Sequence, residues 1–419
     1  MAVSDADPRD AEDALAPNNI SGSLDQQSAT SSTGENRTPR TLYALKNGDL
    51  FVVADSHGDI VGDGDGLFLN DTRLLSCFRL RLAGRAPSLL SARVSADNIV
   101  FTSHLTNTPL PPIGDAAFPE GVVHIERQRI LCGGRMHERI ALTNFATTRI
   151  SLPLELEIGA DFTDMFEVRG MTRAKRGALL PPQKKQEAII FSYLGLDGVT
   201  RRSVLCTSAP IAAFDGRIAK FPIVLERGES QVLQLEVGPG SGVLPTEARW
   251  RQASARARRA VRTTLHTGAS LRAGNPVFDE WLSKSRSDLA LLRTNLDTGP
   301  YPYAGIPWFS TPFGRDGLIT AMQSLWFDPS LARGVLAFLA KNQATETSAF
   351  RDSAPGKIMH ETRRGEMADL CEIPFGRYYG GVDSTPLFVM LAGAYAQRTG
   401  DLAFIESIWP ALERALGRS

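Results

Sequence analysis

The stretch Gly305-Ile-Pro-Trp-Phe-Ser-Thr-Pro-Phe-Gly-Arg-Asp316 stands just before an apolar run and marks where the chain passes from loop to helix. Pro307 and Pro312 prevent a regular helix through it, and each favours an extended conformation in the preceding residue. We therefore predict an irregular loop that leads into a helix beginning near Gly314. An aromatic face beside a guanidinium and a carboxylate would suit a sugar ring, which offers a C–H face and needs donors and acceptors. Alternatively, these aromatic side chains only fill the core.

The composition is that of a globular protein of two or three domains, with 419 residues, of which 42% are apolar and 22% charged. Forty-six basic residues balance forty-six acidic ones, so no net charge attracts the chain to nucleic acid or an anionic membrane. A neutral substrate is allowed. The four cysteines are far apart and form no Cys-x-x-Cys unit, so we expect reduced, mostly buried thiols.

The N-terminal region is polar. Residues 1–39 contain almost no large apolar side chain, and such a composition cannot offset the entropy lost on ordering, so we predict a disordered tail. Residues 1–20 lack the apolar segment of a signal peptide, and the longest apolar run, near Leu387–Ala396, is too short to span a bilayer. We expect a cytoplasmic protein that does not bind a membrane.

A strand pattern begins at residue 40, with short β-branched and aromatic segments separated by Gly, Asp and Asn. It is strongest from Gly121 to Gly170, where apolar residues recur at even spacing with polar residues between several of them. Such alternation places one face of an antiparallel sheet in the core. About a dozen short strands without intervening helices predict a large antiparallel β-sandwich domain over residues 40–242.

The acidic stretch Asp59–Gly66 resembles a calcium loop only superficially. If Asp63 and Asp65 occupied EF-hand positions 3 and 5, Val61 and Thr72 would stand where carboxylates are required. Alternating Asp and Gly are more typical of tight turns with positive φ, so we predict turns here.

Residues 243–274 form the next region, which carries six arginines among alanines between Thr246 and Leu265. A nucleic-acid patch is one interpretation, but the chain has no net basicity and the segment lacks interleaved aromatic residues. A solvated linker helix is simpler.

Helical periodicity follows Gly274. Asn275 and Pro276 are the residue types of an N-cap and a first helical position, and an apolar stripe continues to about Thr294. Further helices are predicted at residues 314–327, 330–343, 383–398 and 401–416.

Three polar and aromatic clusters lie at the starts of these helices or in the loops before them: Trp308-Phe309 with Arg315-Asp316, His360–Glu366, and Tyr378–Ser384. Their shared placement predicts that one end of the helical region collects them in one cleft. Asp316 and Asp383 could instead serve only to cap helices and complement the helix dipole.

Paired carboxylates are the chemistry that these clusters favour. His360 and Glu361 are adjacent, with no other His nearby, and make a poor metal-ligand set. Ser384 lies in no nucleophile elbow. We expect neither a metal nor a cofactor. Glycoside hydrolysis is the reaction that uses two carboxylates, one to protonate the leaving oxygen and one to activate water or attack.

The sequence resembles the bacterial and archaeal relatives of glycogen debranching enzyme, the amylo-α-1,6-glucosidase type. The matching segments are Ile306–Asp316, Lys357–Glu361 and Tyr379–Pro386, with Gly66–Arg73 and Asp164–Gly170 resembling that family's N-terminal domain. The resemblance implies a β-sandwich followed by an (α/α)6 toroid, in which six helical hairpins surround a cleft for the end of an α-glucan. By that similarity the cleft would be lined by Trp308, Arg315, Asp316, His360, Glu361 and Asp383, to which we add Phe309 from the same loop.

The helical region is short for that fold. Residues 275–419 hold five predicted helices, whereas six hairpins require twelve, so we expect an incomplete (α/α)6 glycosidase domain. The family's general acid and base would lie beyond residue 419. Asp316 should bind sugar rather than donate a proton, because we expect Arg315 to pair with it and keep it ionised.

Two hypotheses follow. The first is a truncated or split debranching-type glycosidase that acts on α-glucan but is inactive alone, whose fifth helix exposes an apolar flank able to associate with another chain. The alternative is a non-catalytic carbohydrate-binding or regulatory protein. Under both hypotheses we expect the chain to bind an α-glucan.

Overall fold

Strands occupy the first part of the chain and helices most of the second, as predicted. The structure is a computed structural model that describes residues 40–113 and 116–417. The predicted disordered tail, residues 1–39, lies outside the described residues. The chain divides into two units, Met1–Thr41 and Leu42–Ser419, and the elements below belong to the second.

The bounds of the elements are as follows. In chain order the strands are β1 (Leu42–Asn47), β2 (Leu50–Asp55), β3 (Gly66–Leu69), β4 (Thr72–Leu75), β5 (Cys77–Leu82), β6 (Ser88–Val94), β7 (Phe101–Thr106), β8 (Leu110–Ile113), β9 (Ala116–Phe118), β10 (Val123–Cys132), β11 (Arg135–Asn144), β12 (Ile150–Gly159), β13 (Ala178–Lys184), β14 (Ala188–Leu194), β15 (Thr200–Thr207), β16 (Ala213–Phe214), β17 (Ile218–Leu225), β18 (Ser230–Gly238), β19 (Arg293–Leu296) and β20 (Gly299–Pro302). The helices are α1 (Met165–Val168), α2 (Glu247–Leu265), α3 (Pro276–Leu292), α4 (Gly314–Ser324), α5 (Pro329–Lys341), α6 (Glu366–Asp369), α7 (Ser384–Thr399) and α8 (Leu402–Leu416).

The sandwich consists of one eight-stranded antiparallel sheet and two four-stranded sheets. The strand orders are β13-β14-β15-β18-β11-β10-β7-β6, β1-β2-β3-β4 and β16-β17-β12-β5. Strand β17 shows the alternation that predicts a strand, because its buried residues alternate with exposed ones. The fully buried side chains of Leu67, Leu154 and Ile140 represent the three sheets in one shared core.

The stretch Asp59–Gly66 folds as turns, which confirms that prediction. Gly62 has a φ of 100°, a conformation that favours glycine. The carboxylate of Asp65 accepts hydrogen bonds from the backbone N–H groups of Val61 and Gly62, at 3.0 and 2.9 Å. Arg73 also donates to the carbonyl of Gly62 at 3.1 Å, so this acidic loop is bound internally.

Helix α2 is packed against the sandwich, which corrects our picture of a solvated linker helix. It starts after Thr246, whose side chain caps the backbone N–H of Arg249. Trp250, Ala253 and Ala257 are buried against apolar residues that include Ile130 of β10. The remaining faces of the helix are exposed, which is where most of the arginines lie.

The predicted long helices are all present, with ends within a few residues of the predicted ones. Helices α4, α5, α7 and α8 share a core that includes Leu318, Leu339, Phe388 and Ile408. The short hairpin of β19 and β20 was not predicted, because its two prolines argue against strands.

Helix α3 differs from the expectation for a core helix. Asn275 caps it as predicted, by accepting hydrogen bonds from the backbone N–H groups of Val277 and Phe278. Its predicted apolar stripe does not face a core: Phe278 is 48% exposed and Trp281 is 59% exposed, and the two rings stack on each other. No element of the described residues covers them.

The cysteines are free, but they are not uniformly buried. Cys132 and Cys206 are buried and Cys77 is partly buried, whereas Cys371 is exposed. Cys371 lies at a φ of 55° just after α6.

Candidate functional site

The loop before α4 has the predicted irregular conformation. Gly305 and Phe309 exchange backbone hydrogen bonds of 3.1 Å and so close a turn. Helix α4 begins at Gly314, and no side chain caps its first turn. The predicted loop and helix start are therefore confirmed.

The three predicted clusters lie together. Phe313 and Tyr378 each form an antiparallel bridge with Glu361. The backbone N–H of Gly314 donates to the carbonyl of His360 at 2.8 Å, and His360 donates its own N–H to the carbonyl of Tyr378 at 2.7 Å. A short ribbon thus joins the start of α4, the segment after residue 357 and the segment before α7.

Glycine is required where this ribbon meets α4. A Cβ atom on Gly314 would lie 1.9 Å from the carbonyl oxygen of Met359, a distance that no side chain tolerates. The backbone of the helix start and that of the neighbouring segment are therefore in direct contact.

Arg315 pairs with Asp383, not with Asp316 as we expected. The Arg315 Nη1 to Asp383 Oδ2 distance is 3.2 Å, and both side chains are partly exposed. Asp383 occupies the N-cap position of α7 but makes no capping hydrogen bond, because its φ and ψ are helical. The ion pair therefore directs the Asp383 carboxylate toward α4.

Asp316 lies in the first turn of α4 and is partly buried. Within the described ranges, 40–113 and 116–417, its carboxylate makes no hydrogen bond or ion pair. Its negative charge, after the larger effect of burial, raises the pKa of Tyr301, whose hydroxyl donates to the carbonyl of Phe313. Asp316 thus offers two acceptor oxygens near the helix N-terminus, where the helix dipole stabilises a negative charge.

His360 presents an unsatisfied nitrogen. Its Nδ1 is buried and has no hydrogen-bond partner among the residues that the structure describes. A Cβ atom on Gly381 would lie 3.3 Å from His360 Nδ1 and 3.3 Å from Asp383 Oδ1. The space beside Gly381 is therefore bordered by both polar groups.

Glu361 is committed to a buried charge network. Its Oε1 accepts a hydrogen bond of 2.6 Å from Nε of Arg363, whose Nη1 donates to Asp71 Oδ1 at 3.0 Å. Arg363 Nη2 also donates to the carbonyl of Trp308 at 2.8 Å. Although burial opposes it, the charges of Asp71 and Glu361 raise the pKa of Arg363. The network fixes the loop against the sandwich.

Trp308 and Phe309 have different surroundings. Trp308 is partly buried against an apolar cluster of the sandwich that contains Phe68 and Met165. Phe309 is 39% exposed, and its ring meets that of Phe313 edge-on at 5.8 Å. That these rings bind sugar stays a prediction, for which Phe309 has the more accessible face.

Sequence reasoning gave no role in this region to Asp71, Arg169 or Arg363, although Arg363 lies within the predicted cluster His360–Glu366. The guanidinium carbon of Arg169 lies 6.0 Å from the Trp308 ring centroid and 5.9 Å from that of Phe309. A signal existed, because Asp71 and Arg169 lie in the two upstream segments, Gly66–Arg73 and Asp164–Gly170, that carried the resemblance. Nothing local indicated that these segments would contact the helical region.

The described part of the chain contains no group of three or more His, Cys, Asp or Glu residues that could hold a metal ion. None of the helices described is both long and apolar enough to cross a bilayer.

Three solved structures are similar to this chain, each at low sequence identity. A galactose mutarotase related enzyme from Lactobacillus acidophilus is 9% identical, over 48% of this chain and 98% of that one, with a TM-score of 0.29. A galactose mutarotase-like protein from Clostridium acetobutylicum is 6% identical, over 48% and 99%, with a TM-score of 0.25. A bacterial glucoamylase complexed with acarbose is 11% identical, over 89% of this chain and 58% of that one, with a TM-score of 0.48.

Sequence comparison is more specific for the sheet-forming part of the chain. A search of curated proteins found no match. A match to a family model begins within β1 and ends within β18. Residues 45–236 match the model of the N-terminal domain of (some) glycogen debranching enzymes.

Proposed function

We propose that the chain is part of a debranching-type glycosidase and that the starts of α4 and α7 bind the end of an α-glucan. The family match over residues 45–236 supports the choice of substrate class. The observation that carries the proposal is the Arg315–Asp383 pair. Asp316 lies in the same first turn of α4, and its carboxylate makes no hydrogen bond or ion pair among the described residues. In this proposal α3 to α8 form the first part of an (α/α)6 toroid.

The chemistry of these groups suits sugar hydroxyls. Arg315 has further N–H donors beyond the one on Asp383, and Asp316 supplies acceptors. His360 Nδ1 can donate or accept, depending on its tautomer. The ring of Phe309, which meets the ring of Phe313 edge-on, would cover the apolar C–H face of a glucose unit. Together they provide the donors, acceptors and stacking surface that a neutral sugar requires.

The same geometry supports binding rather than hydrolysis by these residues alone. Glycoside hydrolysis requires one carboxyl group as acid and a second as base or nucleophile. Glu361 is held by Arg363, and Asp383 is held by Arg315. Only Asp316 is uncommitted in the described part of the site. We therefore propose that the purified chain binds α-glucan and does not cleave it.

Calorimetric titration with maltoheptaose and with cellohexaose tests this function. Saturable binding of the α-linked oligosaccharide without binding of the β-linked one is expected. Failure to bind maltoheptaose, or equal binding of the two, would refute α-glucan recognition. A parallel assay should detect no glucose release from a branched dextrin. Release that Asp316→Asn abolishes would show that the site is catalytic instead.

A further inference from the structure

Arg169 of the sandwich lies at the candidate site of the helical region. It follows α1, a single turn whose start is fixed by a capping box. Asp164 accepts a hydrogen bond from the backbone N–H of Phe166 at 3.0 Å, and the Glu167 carboxylate accepts one from the N–H of Asp164 at 3.0 Å. The backbone N–H of Arg169 in turn donates to the carbonyl of Met165 at 3.1 Å. The backbone that carries Arg169 is therefore well constrained.

Aromatic rings from both parts of the chain surround the Arg169 guanidinium. Its central carbon lies 6.0 Å from the ring centroid of Phe166, 6.0 Å from that of Trp308 and 5.9 Å from that of Phe309. Phe166 belongs to α1, whereas the other two rings belong to the loop before α4. Attraction between the cation and these ring faces favours this position of the guanidinium.

The guanidinium of Arg169 pairs with no carboxylate of the described residues. Within residues 40–113 and 116–417, the side chain of Arg169 makes neither a hydrogen bond nor a salt bridge. The residue is exposed to solvent. The neighbouring Arg363 differs, since two carboxylates and a carbonyl bind it. Partial burial, and then the like charge of Arg363, lower the pKa of Arg169, while the negative charge of Glu361 opposes them. The guanidinium N–H groups of Arg169 thus lie at the rings and make no hydrogen bond within the described part of the chain.

We propose that Arg169 is a substrate-contacting specificity residue, which binds two adjacent hydroxyls of an α-glucan unit stacked at Phe309. A guanidinium is planar and carries five N–H donors, so contact with aromatic rings leaves edges of the fork free for a bidentate contact. Neighbouring hydroxyls of a glucose ring present two acceptors to such a fork. The binding edge would then be built by both halves of the chain. This inference rests on the proposed function and adds a residue to the same site.

Titration with maltoheptaose of Arg169→Met and Arg169→Lys tests the inference. Arg227→Met is the matched control, because Arg227 is exposed in the turn between β17 and β18, next to the end of β12 at Ile150. The candidate site lies toward the opposite end of β12, because Gly159 leads into the segment that carries Arg169. We expect both Arg169 variants to weaken binding about tenfold, because each loses a hydrogen bond from a charged group. Arg227→Met should bind with wild-type affinity.

The outcomes separate this inference from the proposed function. If the wild-type chain does not bind maltoheptaose, the proposed function fails. If it binds and Arg169→Met binds equally well, the role of Arg169 is refuted while the function stands. Wild-type affinity of Arg169→Lys would refute the bidentate fork. A direct readout is the Nε–Hε NMR signal of Arg169, assigned by its loss in Arg169→Met. This signal should shift on addition of maltoheptaose, and an unmoved signal at saturation contradicts contact.

Discussion

Arg315 and Asp383 form an ion pair of 3.2 Å between residues 68 positions apart in the chain. The pair joins the first turn of α4 to the N-cap of α7, so the two helix starts present their polar groups to the same space. Because both side chains are partly exposed, the pair should contribute little to stability. Its value would then lie in orienting the groups that meet a ligand.

A double-mutant cycle of Arg315→Ala and Asp383→Asn should show that the pair affects ligand binding more than stability. We expect each single variant to change the free energy of unfolding by less than about 1 kcal/mol, as is usual for exposed pairs. Each should weaken maltoheptaose binding about tenfold, and the double variant should lose less than the sum. Urea unfolding and calorimetry measure the two quantities. A large stability loss with unchanged affinity would contradict the assignment.

The buried network around Arg363 should behave in the opposite way. Arg363→Met leaves the buried carboxylates of Asp71 and Glu361 without their cation, which should cost about 3–5 kcal/mol of unfolding free energy. The matched control is Arg364→Met, because the side chain of Arg364 is mostly exposed and its ion pair with Asp49 is long, at 3.6 Å. Urea unfolding should show less than about 1 kcal/mol for the control. Equal losses of unfolding free energy in the two variants would show that the Arg363 network does not stabilise the contact between the sandwich and the helical region.

Stability should depend on pH through Asp164. Burial, reinforced by the charges of Asp71 and Glu167, raises the pKa of Asp164 to about 7. The folded chain therefore keeps this proton at pH values where the unfolded chain has lost it. The contribution of this group is fully present below about pH 4, decreases as the pH rises through 7, and is constant above that.

Asp164→Asn isolates that contribution, because asparagine can still cap Phe166 with its oxygen. The difference in unfolding free energy between variant and wild type should move in favour of the variant as the pH rises from 4 to 7. Urea unfolding at a series of pH values measures it. A difference that stays constant over this range would show that Asp164 ionises normally.

Two glycine substitutions test the close approach at the start of α4. Gly314→Ala would place a methyl group 1.9 Å from the carbonyl of Met359, so we expect a loss of about 1–3 kcal/mol. Gly393→Ala is the control, since Gly393 is exposed on α7 with nothing within 4 Å of an added Cβ. That change should stabilise the chain by about 0.5–1 kcal/mol. Thermal unfolding with the same sign for both variants would contradict the described contact.

Local pattern predicted the elements, and it even predicted that the three clusters would meet. Alternation in segments such as β17 indicated strands, and Pro307 and Pro312 correctly placed the start of α4. The expected pairing of Arg315 with Asp316 was wrong, because adjacent residues on a helix point in different directions. Arg315 therefore reaches Asp383 instead of Asp316.

Contacts between distant segments were the part that sequence pattern could not provide. Arg169 reaches the loop before α4 across more than a hundred residues, and its own neighbourhood predicts only a turn. Helix α3 shows the same limit, since periodicity identified its apolar stripe but not whether anything covers Trp281.

Comparing the maltoheptaose affinities of Asp316→Asn and Glu406→Gln tests whether the starts of α4 and α7 bind glycan. Both changes remove one carboxylate charge from a helix, but Glu406 is exposed on α8, away from the three clusters. Glycan binding at the helix starts predicts a loss of about tenfold or more for Asp316→Asn, and wild-type affinity for Glu406→Gln. Saturable binding with the same affinity in all three proteins would contradict it.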